Sequence, residues 1–109
     1  MIVVIFEVVL DAQARDRYMT IAEELVQFLE SIDGFLSVER FQSLADPDKL
    51  LSLSTWKDET AVQAWREQMR HRSAQYEGRY GLFRGYRLRV ASVIRDYGKE
   101  DWAQAPTEV

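Results

Sequence analysis

Hydrophobic side chains along this chain recur with two periods, one typical of strands and one typical of helices. The run Ile2–Leu10 is β-branched and apolar, is interrupted only by Glu7, and predicts a strand that is apolar on both faces. After Asp11, apolar residues recur every three or four positions and predict an amphipathic helix carrying Tyr18, Ile21, Ala22, Leu25, Phe28, Leu29 and Ile32. Gly34 is able to adopt the left-handed conformation that ends helices, so we expect the helix to close there.

The middle of the chain predicts two more strands and a second helix. Residues 35–41 and 50–56 have the composition of strands, and the turn around Pro47 joins them as a hairpin. Asp58 is expected to cap the helix that follows. One side of that helix carries Ala61, Val62, Trp65 and Met69.

A fourth strand completes the order of elements. Gly81 and Gly85 are expected to bound a loop, and residues 86–94 alternate well enough to predict a strand. The order strand–helix–strand–strand–helix–strand is the ferredoxin-like split βαβ arrangement, an α+β fold. It predicts a four-stranded antiparallel sheet with both helices on one face.

The face of the sheet away from the helices needs a second cover. The first strand is apolar on both faces, and we expect Phe41, Leu50 and Trp56 to add apolar surface among residues of alternating orientation. Burial of apolar surface stabilises a protein by about 25 cal/mol per Å², so leaving several such side chains in water loses roughly 5–10 kcal/mol of that free energy. We therefore predict a homodimer in which two sheets pack face to face, as a dimeric α+β barrel.

Size and charge narrow the class of protein. The 109 residues suffice for one domain, and 47% hydrophobic with 29% charged residues is typical of a folded globular chain. The net charge of −4 argues against a nucleic-acid partner, which requires a clustered basic surface.

Other site classes and a membrane location are also disfavoured. The chain has no cysteine and one histidine, so disulfides, thiolate catalysis and a zinc site are not expected, and the metal prediction is none. The run Met1–Leu10 lacks a basic start and is too short for a signal core or a membrane span. We expect a cytoplasmic protein with no membrane partner.

Candidate chemistry concentrates in the second helix. Trp65 follows the capped helix start, and His71 is the one side chain in the sequence with an unperturbed pKa near neutrality. His71 is therefore the candidate base or ligand, and Trp65 the candidate pocket wall.

The order and spacing of several short motifs carry a resemblance. They are the junction Ile32-Asp33-Gly34-Phe35, the strand-ending Trp56, the helix Ala61-Val62-Gln63-Ala64-Trp65, the stretch from His71 to Arg79, and the strand Tyr86-Arg87-Leu88-Arg89-Val90. In this order the chain resembles the antibiotic biosynthesis monooxygenase domain family of the dimeric α+β barrel superfamily. The resemblance covers residues 1–97 and leaves 98–109 as a C-terminal arm.

The resemblance implies a pocket in each protomer between the sheet and the helices. It implies a monooxygenase that acts on a planar aromatic or quinol-type molecule with dioxygen, and without metal, flavin or other cofactor. In that mechanism His71 takes a proton from the substrate. Substrate-binding positions are then expected at Trp65, Phe6, Glu7 and Gln75.

Two alternatives remain open: haem binding or degradation with His71 as ligand, and a non-catalytic ligand-binding dimer. In the haem-degrading members an asparagine on the first strand works with a tryptophan and a histidine of the second helix. Here Glu7 stands near the asparagine position, and His71 follows Trp65 by six residues, where those enzymes use nearly three turns. Six residues place the two about 120° apart on an unbroken helix, so a haem site would require a break near Arg70. A structural ion pair between Glu7 and Arg89 is the simpler role for that carboxylate.

Overall fold

The structure is a computed structural model that describes the backbone of residues 1–76 and 83–100, and their side chains apart from those of 69–76 and 83. The elements follow the predicted order: β1 (Ile2–Leu10), α1 (Arg15–Glu30), β2 (Phe35–Gln42), β3 (Lys49–Trp56), α2 (Glu59–Tyr76) and β4 (Phe83–Ser92). The strands form one open antiparallel sheet in the order β2-β3-β1-β4. The predicted ferredoxin-like α+β fold is confirmed.

Both helices pack on one face of this sheet and bury it in two clusters. One cluster joins the end of α1 and the start of α2 to the sheet, and consists of Val4, Leu29, Trp56, Ala61 and Val62. The other lies under the first half of α1, and consists of Val8, Leu10, Tyr18, Ala22 and Leu50. Side chains at even positions of β1 therefore face the helices, as the period of two requires. We call this face the helix side and the opposite face the open side.

The junction between α1 and β2 is tightly built around Gly34. Its φ of +89° is the left-handed conformation that the sequence predicted. A Cβ placed on Gly34 would lie 2.6 Å from Cβ of Ala61, and the backbone N–H of Lys57 donates to the Gly34 carbonyl at 2.8 Å. A side chain at this position is therefore disfavoured both by the conformation and by the approach of α2.

Asp58 begins α2 as predicted. Its Oδ1 accepts a hydrogen bond from the backbone N–H of Ala61 at 2.9 Å, which satisfies one of the donors left free in the first turn of a helix. Ala61 and Val62 are buried and Trp65 is half-buried, so the predicted inner side of the helix is confirmed for these three residues. The side chain of Met69 lies outside the described residues.

Two details of the sheet differ from the sequence prediction. Gly85 does not bound a loop, because β4 already begins at Phe83 and Gly85 pairs with Val9 beside a register shift. Gly81 lies outside the described residues. Trp56 and Leu50 lie on the helix side and are buried there, so they add nothing to the open side.

The open side is nevertheless rich in apolar side chains. Cross-strand pairing places one set of half-buried or exposed apolar residues there: Val3, Ile5 and Val9 of β1, Leu51 and Leu53 of β3, and Phe41 of β2. The structure shows one chain, so it describes this face without a cover. Within the described residues, no helix is long and apolar enough to span a membrane.

Candidate functional site

Trp65 is held against the core by other aromatic rings. Its ring centroid lies 5.6 Å from that of Trp56, with 32° between the ring planes. Trp56 is fully buried, donates its indole N–H to Oγ of Ser54 at 2.9 Å, and meets the ring of Phe35 edge-on at 5.3 Å. The part of Trp65 that remains accessible therefore has a fixed position, which suits a pocket wall.

A strip of apolar side chains along β4 lies on the same face as the helices. In the antiparallel register, Tyr86 pairs with Val8, Leu88 with Phe6 and Val90 with Val4, and each pair shares a face. On β1, Val4 and Val8 are 2% and 0% exposed, whereas on β4 Tyr86, Leu88 and Val90 are 70%, 45% and 44% exposed. We call these three residues the β4 strip.

Phe6 links the buried core to the β4 strip. Its side chain is partly buried and packs against the cluster beneath α1. Its ring centroid also lies 5.9 Å from that of Tyr86, at an interplanar angle of 57°. The structure therefore places Phe6 on the helix side, next to accessible apolar surface, and its assignment to a substrate site stays a prediction.

Glu7 points to the opposite face from Phe6. Its carboxylate lies 3.3 Å from Nη1 of Arg89 and 3.5 Å from Nζ of Lys49, so the predicted ion pair with Arg89 is present. Adjacent residues of a strand face opposite sides, and the structure therefore does not bring Glu7 together with Phe6 and Trp65. Near this point of β1 the side chain on the helix side is a phenyl ring, where the haem-degrading pattern would have an amide.

The other two predicted site residues, His71 and Gln75, have side chains outside the described residues. The backbone of α2 continues as one helix to Tyr76, without the break near Arg70 that a haem site would have required. On this helix, positions 65 and 71 differ in direction by about 120°. The roles of His71 and Gln75 remain predictions.

A buried polar contact under α1 was not singled out by the sequence. The guanidinium of Arg40 donates from Nη2 to the Ala22 carbonyl at 3.0 Å and hydrogen-bonds Tyr18, while its Nε is buried without a partner. Burial raises the pKa of Tyr18 above its usual value, and the charge and hydrogen bond of Arg40 oppose part of that shift. No local pattern marks this pair, because it forms only when α1 lies across β2.

The β4 strip was also missed, although its signal was present. The alternation in Tyr86-Arg87-Leu88-Arg89-Val90 separates an apolar face from a cationic face. Only the pairing with β1 shows that the apolar face lies on the helix side. Among the described residues, no group of three or more histidine, aspartate or glutamate side chains could hold a metal ion.

Comparison with known proteins finds two curated relatives, of 43% and 33% identity. The chain is 43% identical over 93 residues to a jasmonate monooxygenase, ABM, of Pyricularia oryzae. The aligned region covers 85% of this chain and 43% of the relative, so the chain spans less than half of the relative's length.

Two solved structures show the same fold at low sequence identity. One is an antibiotic biosynthesis monooxygenase, with a TM-score of 0.71, 18% identity, and coverage of 87% of this chain and 100% of that one. The other is a mutant of MhuD with two manganese protoporphyrin IX molecules bound per active site, with a TM-score of 0.72, 20% identity, and coverage of 90% and 99%. The family model for antibiotic biosynthesis monooxygenases matches residues 1–76, which include both helices and three of the strands, and the chain belongs to this family.

Proposed function

We propose that this chain is a monooxygenase that binds a small, planar, apolar molecule on the helix side of β1 and β4 and oxidises it with dioxygen. Family membership and the 43% identical monooxygenase support the reaction class. One structural observation carries the location. On the face that the helices otherwise bury, the β4 strip stays accessible beside Phe6.

The site suits a reaction that needs no metal or flavin when the substrate supplies the electrons. A quinol-type substrate with an acidic C–H or O–H group gives its proton to His71 and becomes a carbanion or its resonance form. That carbon bonds to one oxygen atom of dioxygen, and protonation gives a hydroperoxide. Loss of water then leaves a carbonyl group, so a CH₂ group and dioxygen become a C=O group and water.

The described side chains would exclude water from the reacting groups and orient the substrate. Phe6, Trp65 and the β4 strip offer aromatic and aliphatic surface that excludes water from the anion and fixes the plane of the substrate. The rigid contact of Trp65 with Trp56 keeps that wall in place.

Oxygen consumption with a panel of anthrones and naphthohydroquinones tests this proposal. We expect turnover by the wild type, and a kcat about 10²–10⁴ lower in His71→Ala, because one general base contributes that much. Gln68→Ala, an exposed position on the same helix, is the matched control and should retain wild-type rates. Full oxygen consumption by His71→Ala on a confirmed substrate would remove His71 from this role. Saturable binding without turnover would favour a non-catalytic ligand-binding protein.

A second candidate substrate is a jasmonate-like molecule. The observation that favours it is the 43% identity to a jasmonate monooxygenase. Jasmonate combines a cyclopentanone ring and a hydrocarbon chain, which fit an apolar wall, with a carboxylate that needs water or a cationic partner. Including it in the same oxygen-consumption panel separates this candidate from the quinols.

Haem fits the described part of the site poorly. The helix-side residue at the relevant point of β1 is Phe6, which offers no hydrogen bond, and the unbroken α2 directs position 71 about 120° away from position 65. We therefore derive no step through haem. Titration with hemin provides the check, and a Soret shift that is lost in His71→Ala would restore this alternative.

We also propose that two copies pair through their open sides. Val3, Ile5 and Leu53 lie at neighbouring positions of this face, and packing against a second sheet would remove them from water. Sedimentation velocity at micromolar concentration should give the mass of a dimer. A folded monomer at that concentration would contradict the pairing.

A further inference from the structure

The side chains of the open side form rows that cross the four strands. Glu39 of β2 pairs with Leu53 of β3, and Leu53 pairs in turn with Ile5 of β1. Ile5 pairs with Arg89 of β4, at the other edge of the sheet. Paired residues of neighbouring strands share a face. This row therefore has an anionic end, an apolar middle and a cationic end.

The cationic end of the row belongs to a cluster in which two cations share one anion. The carboxylate of Glu7 lies 3.3 Å from Arg89 and 3.5 Å from Lys49. The side chains of Arg89 and Lys49 are 52% and 39% exposed, so water solvates both in the single chain. A second sheet packed on this face would remove much of that water, and a charge taken out of water requires a partner of opposite sign. The cluster then needs another carboxylate.

Glu39 is placed to supply that carboxylate from a second copy of the chain. It is exposed, and none of the ion pairs between described residues includes it. Within one chain its strand lies three strand spacings, about 14 Å, from the strand of Arg89. Two packed sheets lie about 10 Å apart, and an extended arginine and a glutamate together span that gap. The two charges can therefore meet between copies.

Symmetry decides which residues of the two copies face each other. A two-fold axis parallel to the strands keeps each residue at its level along the strands and places β2 of one copy over β4 of the other. A two-fold axis across the strands places β4 over β4 and β2 over β2. In that second arrangement, Arg87 and Arg89 would face the same arginines of the other copy, and like charges repel. Only the first arrangement brings opposite charges together.

We infer that two copies pair about a two-fold axis parallel to the strands, with an ion pair between Glu39 of each copy and Arg89 of the partner subunit. The inference rests on the pairing of open sides proposed above. It adds the orientation of the partner and the contact that selects it. Phe41 and Arg87 lie in another row of the same face, so Phe41 then faces Arg87 of the partner subunit, and an aromatic ring attracts a guanidinium.

Cross-linking tests the orientation. The chain has no cysteine, so each thiol is an introduced one. Chains carrying Glu39→Cys and Arg89→Cys are co-expressed with different affinity tags, purified as the mixed dimer and treated with a short bismaleimide. We expect efficient cross-linking in the mixed dimer, because the two positions face each other. We expect little in a dimer of Glu39→Cys chains, whose thiols lie at opposite edges of the interface.

The affinity of the dimer tests the ion pair. Sedimentation velocity over a dilution series gives the dimer Kd of the wild type, Glu39→Gln, Arg89→Gln and the double variant. Each single substitution should raise Kd about tenfold or more, because it breaks two symmetric contacts. The double variant should resemble the weaker single variant, since the second change removes nothing further. Glu23→Gln makes the same charge change at an exposed position of α1 and should leave Kd unchanged.

Three results would overturn the inference in a protein that is dimeric: a Kd of Glu39→Gln equal to or below that of the wild type, fully additive effects in the double variant, or cross-linking in the Glu39→Cys dimer but not in the mixed dimer. Each would leave the pairing of open sides in place with another orientation. A folded wild-type monomer at micromolar concentration would contradict the pairing itself, and the inference with it. Thermal unfolding of each variant confirms that it is folded.

Discussion

On the helix side of the sheet, β1 and β4 carry apolar side chains at matching positions, yet the two strands differ in what covers them. Val4 and Val8 of β1 are almost completely buried, while Leu88 and Val90 of β4, in the same register, are nearly half exposed. The side chains are chemically alike, so the sequence of a strand does not decide its role. The helices decide whether a strand is buried. In the described contacts, they pack on the sheet only as far as β1.

This difference separates stability from recognition. Buried side chains of β1 and β3 hold the helices in place, and substitutions there should act mainly on the free energy of unfolding. The β4 strip contributes little to burial, so substitutions there should act mainly on the affinity for ligand. Four predictions test this difference, in order from the largest expected effect to the smallest.

Trp56→Ala should lower the free energy of unfolding by about 3–5 kcal/mol, because it opens a cavity in the centre of the helix-side core. Urea unfolding measures this change. Tyr86→Ala on β4 is the comparison and should change stability by less than about 1 kcal/mol, since that side chain is largely exposed. Equal losses of stability in Trp56→Ala and Tyr86→Ala would contradict the proposed difference between the buried strands and β4.

Gly34→Ala should lower the free energy of unfolding by about 2–4 kcal/mol. The added Cβ overlaps Ala61, and the positive φ is unfavourable for any residue with a side chain. Gly85→Ala on β4 is the matched control, because no atom lies within 4 Å of its added Cβ, and it should change stability by at most about 0.5 kcal/mol. Adding Ala61→Gly to the Gly34→Ala variant should recover part of the loss if the overlap is its cause.

Tyr18→Phe tests the polar contact within the covered region. At pH 7 we expect a loss of about 1–2 kcal/mol, because Arg40 loses a hydrogen-bond acceptor. Burial raises the folded-state pKa of Tyr18 above its usual 10.0, so the unfolded chain releases this proton first. The free energy of unfolding of the wild type should therefore fall as pH rises above about 10, and it should fall less steeply in Tyr18→Phe. Parallel pH profiles of the two proteins would contradict this.

Glu7→Gln should have the smallest effect. Its partners Arg89 and Lys49 are well exposed, so we expect a loss of about 0.5–1 kcal/mol in stability. Because Glu7 faces the open side, the KM for a confirmed substrate of the oxygen-consumption panel should stay within about twofold of the wild type. A larger change in KM would return Glu7 to the ligand site that the sequence predicted for it.

Much of the fold could be predicted because its signals are local. The bounds of β1, the capping role of Asp58 and the left-handed Gly34 each depend on a few adjacent residues. Gly85 misled the prediction, since glycine commonly marks a loop but is here tolerated in a strand beside a register shift. The faces of Trp56 and Leu50 were misassigned for a related reason. A strand that is apolar on both faces, such as β1, does not indicate which face its neighbours share.

The candidate site was less predictable because it depends on contacts between distant segments. Phe6 and Trp65 were predicted as site residues because they are aromatic residues in suitable elements. The structure places both on the helix side, and their roles stay predictions. Glu7 was assigned both to the site and to an ion pair with Arg89, and only the pairing of β1 with β4 selects between them. Tyr86 could not be recognised from its own strand, because its exposure depends on how far the helices extend over the sheet.

The small size of Gly34 also determines how deeply the ring of Trp65 lies in the molecule. Ala61 rests almost directly on Gly34, and Trp65 follows one turn later on the same side of α2. A larger residue at the junction would push the first turns of α2 away from the sheet, and the indole of Trp65 would move with them. We therefore expect relatives with a bulkier residue at this junction to hold thicker ligands over an otherwise similar sheet.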